Sequence, residues 1–205
     1  MIYISAMKDL VIPDKSTLLI PLFKLLNDLR PIDVDLEELL TSSFKIEKIG
    51  KGVIMLKEGE VCRNLWFLAD GLMRSFHKIG DKEVTSRIMF TNHIVISAGS
   101  FFKQTAATES IETLADCTIL TLSFSGLQNV YESHPLFNYH TRLITEDYFF
   151  KQEQRLYMLR KPNAEDKYRY FLEHYSNYLQ AIQLKHIASF LNIARETLSR
   201  LRNRK

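Results

Sequence analysis

Near the C-terminal end of the chain, apolar residues recur at helical spacing in two neighbouring segments. At about 100° per residue, the apolar residues of each segment fall on one face: Leu184, Ile187, Ala188 and Leu191 in the first, Leu198 and Leu201 in the second. Asn192 separates the segments and can adopt the left-handed backbone that a tight turn requires. The pattern predicts a helix-turn-helix, and the alternative is an ordinary helical hairpin with a solvated charged face.

The opposite face of the second predicted helix is polar and carries Arg195, Glu196, Ser199, Arg200 and Asn203. Arginine can donate two parallel hydrogen bonds to O6 and N7 of guanine, and glutamate can accept one from N4 of cytosine. This face therefore has the chemistry of a base-reading surface. Arg202 and Arg204 flank it, where the phosphates of a bound DNA would lie.

The order of residues in IASFLNIARETLSRL resembles the helix-turn-helix of the Crp/Fnr family of bacterial transcription regulators. The recognition helix of that family carries Arg-Glu-Thr and a second Arg three residues after the Thr. The resemblance implies that Arg195, Glu196 and Arg200 contact bases. It also implies that Thr197 and Ser199 lie near the DNA backbone. Asn192 replaces the usual turn glycine. Ala194 replaces the usual Ser or Thr cap, and the missing capping hydrogen bond costs about 1 kcal/mol of helix stability.

From Phe44 the pattern changes to short runs rich in Val, Ile, Phe and Thr, with turns between them. These runs predict strands over residues 65–69, 72–77, 84–90 and 117–122, because they are too short for helices. An all-β unit of such strands suits a jelly roll. The string KGVIMLKEGEVCRNLWFLADGLMRSF resembles the cyclic-nucleotide-binding-type barrel that precedes the helix-turn-helix in Crp/Fnr proteins.

The chain is therefore predicted to be α+β, and the resemblance covers roughly residues 36–205. The expected domains are a helical lead-in (1–43), a β-barrel sensor (44–132), a dimerisation helix (133–161) and a helix-turn-helix domain (162–205). That last domain is expected to be winged-helix-like, with the β-wing absent or minimal because the sequence ends soon after the second helix.

A long helix is expected over residues 136–160, which contain neither glycine nor proline. At 1.5 Å per residue this helix would be about 38 Å long. In the Crp/Fnr family the corresponding helix forms the dimer, so the resemblance implies dimer contacts from Leu136, Leu143, Phe150 and Tyr157. The alternative is a helix that simply packs on its own barrel.

The loop that holds the cyclic phosphate in nucleotide-binding members of the family corresponds here to IVISAGSFFKQTAATESIE. Those members use a Gly-Glu pair for the ribose and an Arg for the phosphate. The segment has no Arg, and its only basic residue is Lys103. We expect no binding of cyclic AMP. A different effector could occupy a pocket formed by Phe101, Phe102, Lys103 and Thr105, and the alternative is that the phenylalanine pair belongs to the core.

No metal site, cofactor or catalytic activity is expected. The two cysteines, Cys62 and Cys117, cannot supply the four ligands of an iron–sulfur cluster, and they are interpreted as buried thiols on strands. His77 and His93 lack ligand spacing, so packing or hydrogen bonding is the expected role of each. A cupin-type metalloenzyme is disfavoured because the chain contains no HxH pair.

The distribution of charge along the chain is more informative about function than the net charge. The net charge of +3 is ordinary, but residues 155–205 hold 11 Lys and Arg against 4 Asp and Glu. That basic segment coincides with the predicted helix-turn-helix, as expected of a DNA-binding domain. We therefore expect a cytoplasmic homodimer without a membrane span, whose partners are double-stranded inverted-repeat DNA, RNA polymerase and an unidentified effector. The alternative is a ligand-binding or protein-interaction barrel whose tail does not bind DNA.

Overall fold

The computed structural model describes residues 14–203, and within them the chain is α+β, as predicted. The helices are α1 (Lys15–Leu29), α2 (Val34–Ser43), α3 (Ala98–Lys103), α4 (Phe124–Ser133), α5 (Phe137–Arg160), α6 (Ala164–Tyr175), α7 (Leu184–Leu191) and α8 (Arg195–Arg202). The strands are β1 (Lys45–Ile49), β2 (Ile54–Leu56), β3 (Asn64–Asp70), β4 (Leu72–Ile79), β5 (Lys82–Phe90), β6 (His93–Val95), β7 (Ser110–Thr113) and β8 (Cys117–Ser123).

The strands of the described region form two four-stranded antiparallel sheets, in the orders β1-β8-β3-β6 and β2-β7-β4-β5. Most neighbours in each sheet are distant in sequence, which is the connectivity of a jelly roll rather than a meander. The four predicted strands are confirmed as β3, β4, β5 and β8, each to within two residues at either end.

The turn between β3 and β4 depends on Gly71. Its φ is +119°, and a Cβ atom there would lie 2.6 Å from Sγ of Cys117. Both the backbone conformation and the close approach of β8 require glycine. This turn reverses the chain between the two sheets, since β3 belongs to one and β4 to the other.

The long helix α5 begins and ends within one residue of its predicted bounds, and the caps differ from one helix to the next. Asp33 accepts a hydrogen bond of 2.9 Å from the backbone N–H of Leu36 and so caps α2. Asn163 precedes α6 but its side-chain oxygen makes no capping hydrogen bond, and its amide nitrogen donates to the carboxylate of Asp166 at 3.4 Å. α1 continues through Pro21 without interruption.

Two hydrophobic cores hold the described residues together. The first fills the jelly roll and the space between it and α1, α2 and α4. The second joins the C-terminal helices to the barrel, because Leu72, Ile88 and Phe90 of β4 and β5 belong to it together with Phe171 and Leu191. The C-terminal helices are therefore packed on the outer face of the β4–β5 hairpin.

Candidate nucleic-acid interface and effector cavity

The turn between α7 and α8 has the predicted geometry. Asn192 is left-handed, at φ 51° and ψ 53°. The backbone N–H of Ile193 donates to the carbonyl of Ala188 at 3.0 Å, which satisfies a carbonyl left free at the end of α7. The turn thus brings α8 across α7, and Leu198 of α8 is fully buried between them.

The polar residues of α8 face away from that core. Arg195, Glu196 and Arg200 are exposed, as a base-reading face requires. The residues expected near the DNA backbone are half-buried at the edges of this face: Thr197, Ser199 and Arg202. Arg204 lies outside the described residues. The capping position, Ala194, makes no side-chain hydrogen bond.

The back of α7 is attached to the barrel, which the sequence did not predict. The hydroxyl of Ser189 accepts a hydrogen bond of 2.9 Å from the backbone N–H of Thr85 and donates one of 3.2 Å to the carbonyl of Glu83. His186 and Phe190 of α7 are buried on the same side. The helix-turn-helix is therefore held by strand β5 as well as by its own core.

A buried arginine on β4 organises the surface under α7. Arg74 is 2% exposed, and it forms ion pairs with Glu83 and with Glu112, the latter at 2.5 Å. It also donates to the hydroxyl of Thr85 at 3.1 Å. The hydrogen bond from Arg74 holds the pKa of Glu83 below its usual value. Burial and the nearby positive charge of Arg74 lower the pKa of His186 to about 4, so that this imidazole is neutral at pH 7.

A second arginine ties the long helix α5 to the same junction. The guanidinium carbon of Arg155 lies over the ring of Phe190, 3.9 Å from the ring centre. The same guanidinium donates to the backbone carbonyls of Phe190 and Thr85. Burial lowers the pKa of Arg155 to about 10, so the side chain keeps its charge at pH 7. Residues of α5, α7 and β5 therefore meet at one polar cluster.

An arginine of strand β5 contacts segment 94–112, which contains no arginine of its own. Arg87 of β5 forms an ion pair of 2.8 Å with Glu109 and donates to the carbonyl of Ile96 at 2.7 Å. Its Nε also donates to the hydroxyl of Ser75 at 3.2 Å. The sequence signal for Arg74 and Arg87 was present, since each is a charged residue in the interior of a strand, between apolar or small neighbours.

The four residues proposed for an effector pocket are separated in the structure. Phe101 is fully buried in the first core, and Thr105 is exposed with its carbonyl accepting from Ser100. Only Phe102 and Lys103 line a cavity, which has a volume of about 450 Å³. Phe101 and Thr105 do not line this cavity, because Phe101 is packed in the core and Thr105 follows the end of α3, so the expected set of four does not form one pocket.

The outward side of α5 carries a stripe of exposed apolar residues. Of the residues expected to form a dimer, Leu136, Phe150 and Tyr157 are 66%, 61% and 70% exposed. Leu143 is half-buried and lines a different cavity. Phe149 and Leu156 extend the stripe, at 60% and 56% exposure.

The histidines and cysteines have local roles. His77 is hydrogen-bonded to the hydroxyl of Ser86 at 3.0 Å, and the ring of His93 accepts from the backbone N–H of Phe90. Cys62 and Cys117 are buried thiols as predicted, although Cys62 lies between strands. Over residues 14–203 no group of three or more His, Cys, Asp or Glu is placed to hold a metal ion. No helix in that range is long and apolar enough to cross a membrane.

No model of a known protein family matches the chain, and no curated protein matches it by sequence. Solved structures match over most of its length. FixK2 from Bradyrhizobium japonicum is 14% identical, with 78% of this chain and 83% of that chain covered and a TM-score of 0.70. The c-di-GMP-responsive regulator CLP from Xanthomonas campestris is 14% identical, with coverages of 83% and 90% and a TM-score of 0.67. A protein from Eubacterium rectale described as a Crp/Fnr-family transcriptional regulator is 20% identical, with coverages of 87% and 84% and a TM-score of 0.64. The chain has the fold of these proteins.

Proposed function

We propose that this chain, which has the fold of Crp/Fnr-type proteins, belongs to that family and is a sequence-specific DNA-binding transcription regulator. The observation that carries the proposal is the exposed face of α8. Arg195, Glu196 and Arg200 lie in solvent opposite the buried Leu198, and no salt bridge within residues 14–203 engages them. A helix that follows a tight turn and presents such side chains can enter the major groove and contact base edges.

The surroundings of α8 favour an approach to DNA. Thr197, Ser199 and Arg202 flank the exposed face, where hydroxyl and guanidinium groups can donate to phosphate oxygens. Arg204 adds a further positive charge to this segment. Phosphate contacts fix the register of the helix on the duplex, so that the three exposed side chains select the sequence.

The protein acts as a homodimer through the exposed stripe of α5. Leu136, Phe150 and Tyr157 present aromatic and aliphatic surface that a second copy of α5 would bury, with Leu143 at its edge. A two-fold dimer presents two α8 helices and reads an inverted repeat whose half-site centres are separated by multiples of about 34 Å. Within this proposal, residues 44–132 form a sensor, 133–161 the dimerisation helix and 162–205 the DNA-binding domain, and RNA polymerase is the partner at a promoter.

Selection of bound sequences from a random duplex pool tests the proposal. We expect an inverted repeat from the wild type, and a relaxed preference within each half-site from Glu196→Ala and Arg200→Ala, at a cost of about 1–3 kcal/mol of discrimination. Arg202→Ala should weaken binding to all sequences and reduce its salt dependence. If the three variants lower affinity equally for selected and random DNA, α8 does not read bases.

A further inference from the structure

The cavity of about 450 Å³ lies on the outer face of one barrel sheet, under helices α1, α3, α4 and α5. Its floor includes Leu65 and Phe67 of β3 and Leu122 of β8, and Leu65 is paired with Leu122 in the sheet register. Its volume falls in the range of about 300–1,000 Å³ that small-molecule sites occupy. The cavity is separate from the Arg87–Glu109 ion pair, neither member of which lines it.

The lining of the cavity has very little polarity. Among residues 14–203, Lys103 is the only charged residue that lines it. The hydroxyls of Thr141 and Thr145 already donate to backbone carbonyls of α5. Burial raises the pKa of the Tyr131 phenol, which stays neutral. A ligand with several charges would lose its hydration without compensation here, whereas one negative charge can meet the ammonium of Lys103.

Two phenylalanines of the cavity lining are largely exposed. Phe102 is 53% exposed and Phe149 is 60% exposed, and both line the cavity. Aromatic rings at the rim of an apolar cavity mark a surface that gains from being covered. The lining within the described residues thus combines apolar side chains, two exposed aromatic rings and one cation.

We propose that this cavity binds an unbranched amphiphile with a single carboxylate, a medium-chain fatty acid, with its hydrocarbon chain inside and its carboxylate on Lys103. The hydrocarbon chain replaces water along the apolar lining, and the carboxylate remains at the opening, where its outer oxygen stays hydrated. This ligand binds without DNA, so the proposal stands or falls independently of the proposed DNA recognition.

Calorimetric titration of the full-length protein with dodecanoate, in the absence of DNA and below the micellar concentration, tests the proposal. We expect saturation at one dodecanoate per chain, and a roughly fifteenfold weaker dissociation constant for decanoate, since each buried methylene contributes about 0.8 kcal/mol. Lys103→Gln should weaken dodecanoate on the order of tenfold and leave dodecanol unchanged. The matched control Lys48→Gln removes an exposed lysine of β1 and should change neither.

Gly99→Leu provides a second variant that keeps the fold. Gly99 lines the cavity from within α3, and a Cβ atom there would meet no heavy atom within 4 Å. A leucine side chain at the opening should weaken dodecanoate and dodecanol alike, while the thermal midpoint is retained. The proposal is overturned by the absence of saturable binding, by uptake of many molecules per chain, or by affinities that neither variant changes. Binding seen only in a monomeric Phe150→Glu variant would also overturn it, because the opening would then belong to an interface between two copies.

Discussion

Ser189 and Thr85, 104 positions apart in the sequence, are joined by a hydrogen bond of 2.9 Å from the backbone N–H of Thr85 to the side-chain hydroxyl of Ser189. Thr85 is fully buried on the barrel, and Ser189 lies on the first helix of the helix-turn-helix. The same hydroxyl donates to the carbonyl of Glu83. One side chain therefore satisfies two backbone groups of β5 and attaches the helix-turn-helix to that strand.

Ser189→Ala should loosen this junction. The substitution leaves the buried N–H of Thr85 without an acceptor, a cost of about 1–3 kcal/mol in the free energy of unfolding. We expect faster amide hydrogen exchange in residues 82–90 and unchanged exchange in β3 and β8. Urea unfolding and hydrogen-exchange mass spectrometry measure the two effects. Ser176→Ala, at an exposed serine, is the control, and equal exchange in both variants would contradict the prediction.

The stability of the same junction should fall in mild acid because of His186. Its folded-state pKa is about 4, mainly because of burial, against about 6.5 in an unfolded chain. The unfolded state therefore binds more protons between these values, and the free energy of unfolding decreases as pH falls from about 6.5 towards 4, by up to about 1.4 kcal/mol per pH unit. Urea unfolding at pH 7 and pH 5 measures the slope.

Two histidine variants separate this effect from other titrations. His186→Gln should flatten the slope between pH 7 and pH 5, whereas His174→Gln, at an exposed position on α6, should retain it. Glu83 contributes at lower pH, because its lowered pKa provides stability that is present above its unfolded pKa, about 4.5, and lost below it. A slope that His186→Gln leaves intact would show that another group titrates.

Parts of the fold that local interactions determine could be predicted from the sequence, whereas parts that long-range contacts determine could not. The left-handed turn at Asn192 depends on local backbone chemistry, so it could be predicted from the sequence. The docking of α7 on β5 could not be predicted in this way. The spacing of apolar residues gave α7 a single apolar face, which the second helix of the helix-turn-helix was expected to cover. The burial of His186 and Phe190 outside that face becomes meaningful only once β5 is known to cover them.

The candidate sites show the same division. Exposure of Arg195, Glu196 and Arg200 follows from helical geometry and was predicted. The position of Arg87 at segment 94–112 was not, because the arginine comes from strand β5 and only the folded barrel brings it to Ile96 and Glu109. A loop segment considered alone contains no information about the side chains that neighbouring strands contribute.

Phe150→Glu should dissociate the proposed dimer. Phe150 is 61% exposed in the single chain, and burial of such a ring contributes about 1.5–3 kcal/mol for each copy of a two-fold interface. A glutamate would have to be desolvated at the same place twice. Sedimentation velocity at micromolar concentration should show monomers and circular dichroism an intact fold. Gln180→Glu adds the same charge at an exposed polar position outside α5 and should remain dimeric. A monomeric wild type would contradict the premise.

The barrel should not respond to cyclic AMP or cyclic GMP, even though Arg87 reaches the loop that would hold their phosphate. The guanidinium of Arg87 is already engaged by Glu109 at 2.8 Å and by the carbonyl of Ile96, so a phosphate would have to displace a carboxylate. A charge-assisted hydrogen bond contributes about 1.5–3 kcal/mol, and its loss weakens binding by roughly one to two decades. Lys103, a flexible point charge, is a poor replacement for an arginine fork.

Calorimetric titration with both cyclic nucleotides checks this expectation, and Glu109→Gln tests its physical cause. Removing the carboxylate leaves the guanidinium of Arg87, which is 12% exposed, without its counter-charge. The phosphate of cyclic AMP can then accept a charge-assisted hydrogen bond from Arg87 without displacing a carboxylate. Glu109→Gln should therefore raise the affinity for cyclic AMP by at least about tenfold over the wild type, which should give no saturable heat. Glu58→Gln, at an exposed glutamate, should behave as the wild type does. A wild-type dissociation constant in the low micromolar range that Lys103→Ala weakens would refute the prediction, because Lys103 would then supply the charge that Arg87 withholds.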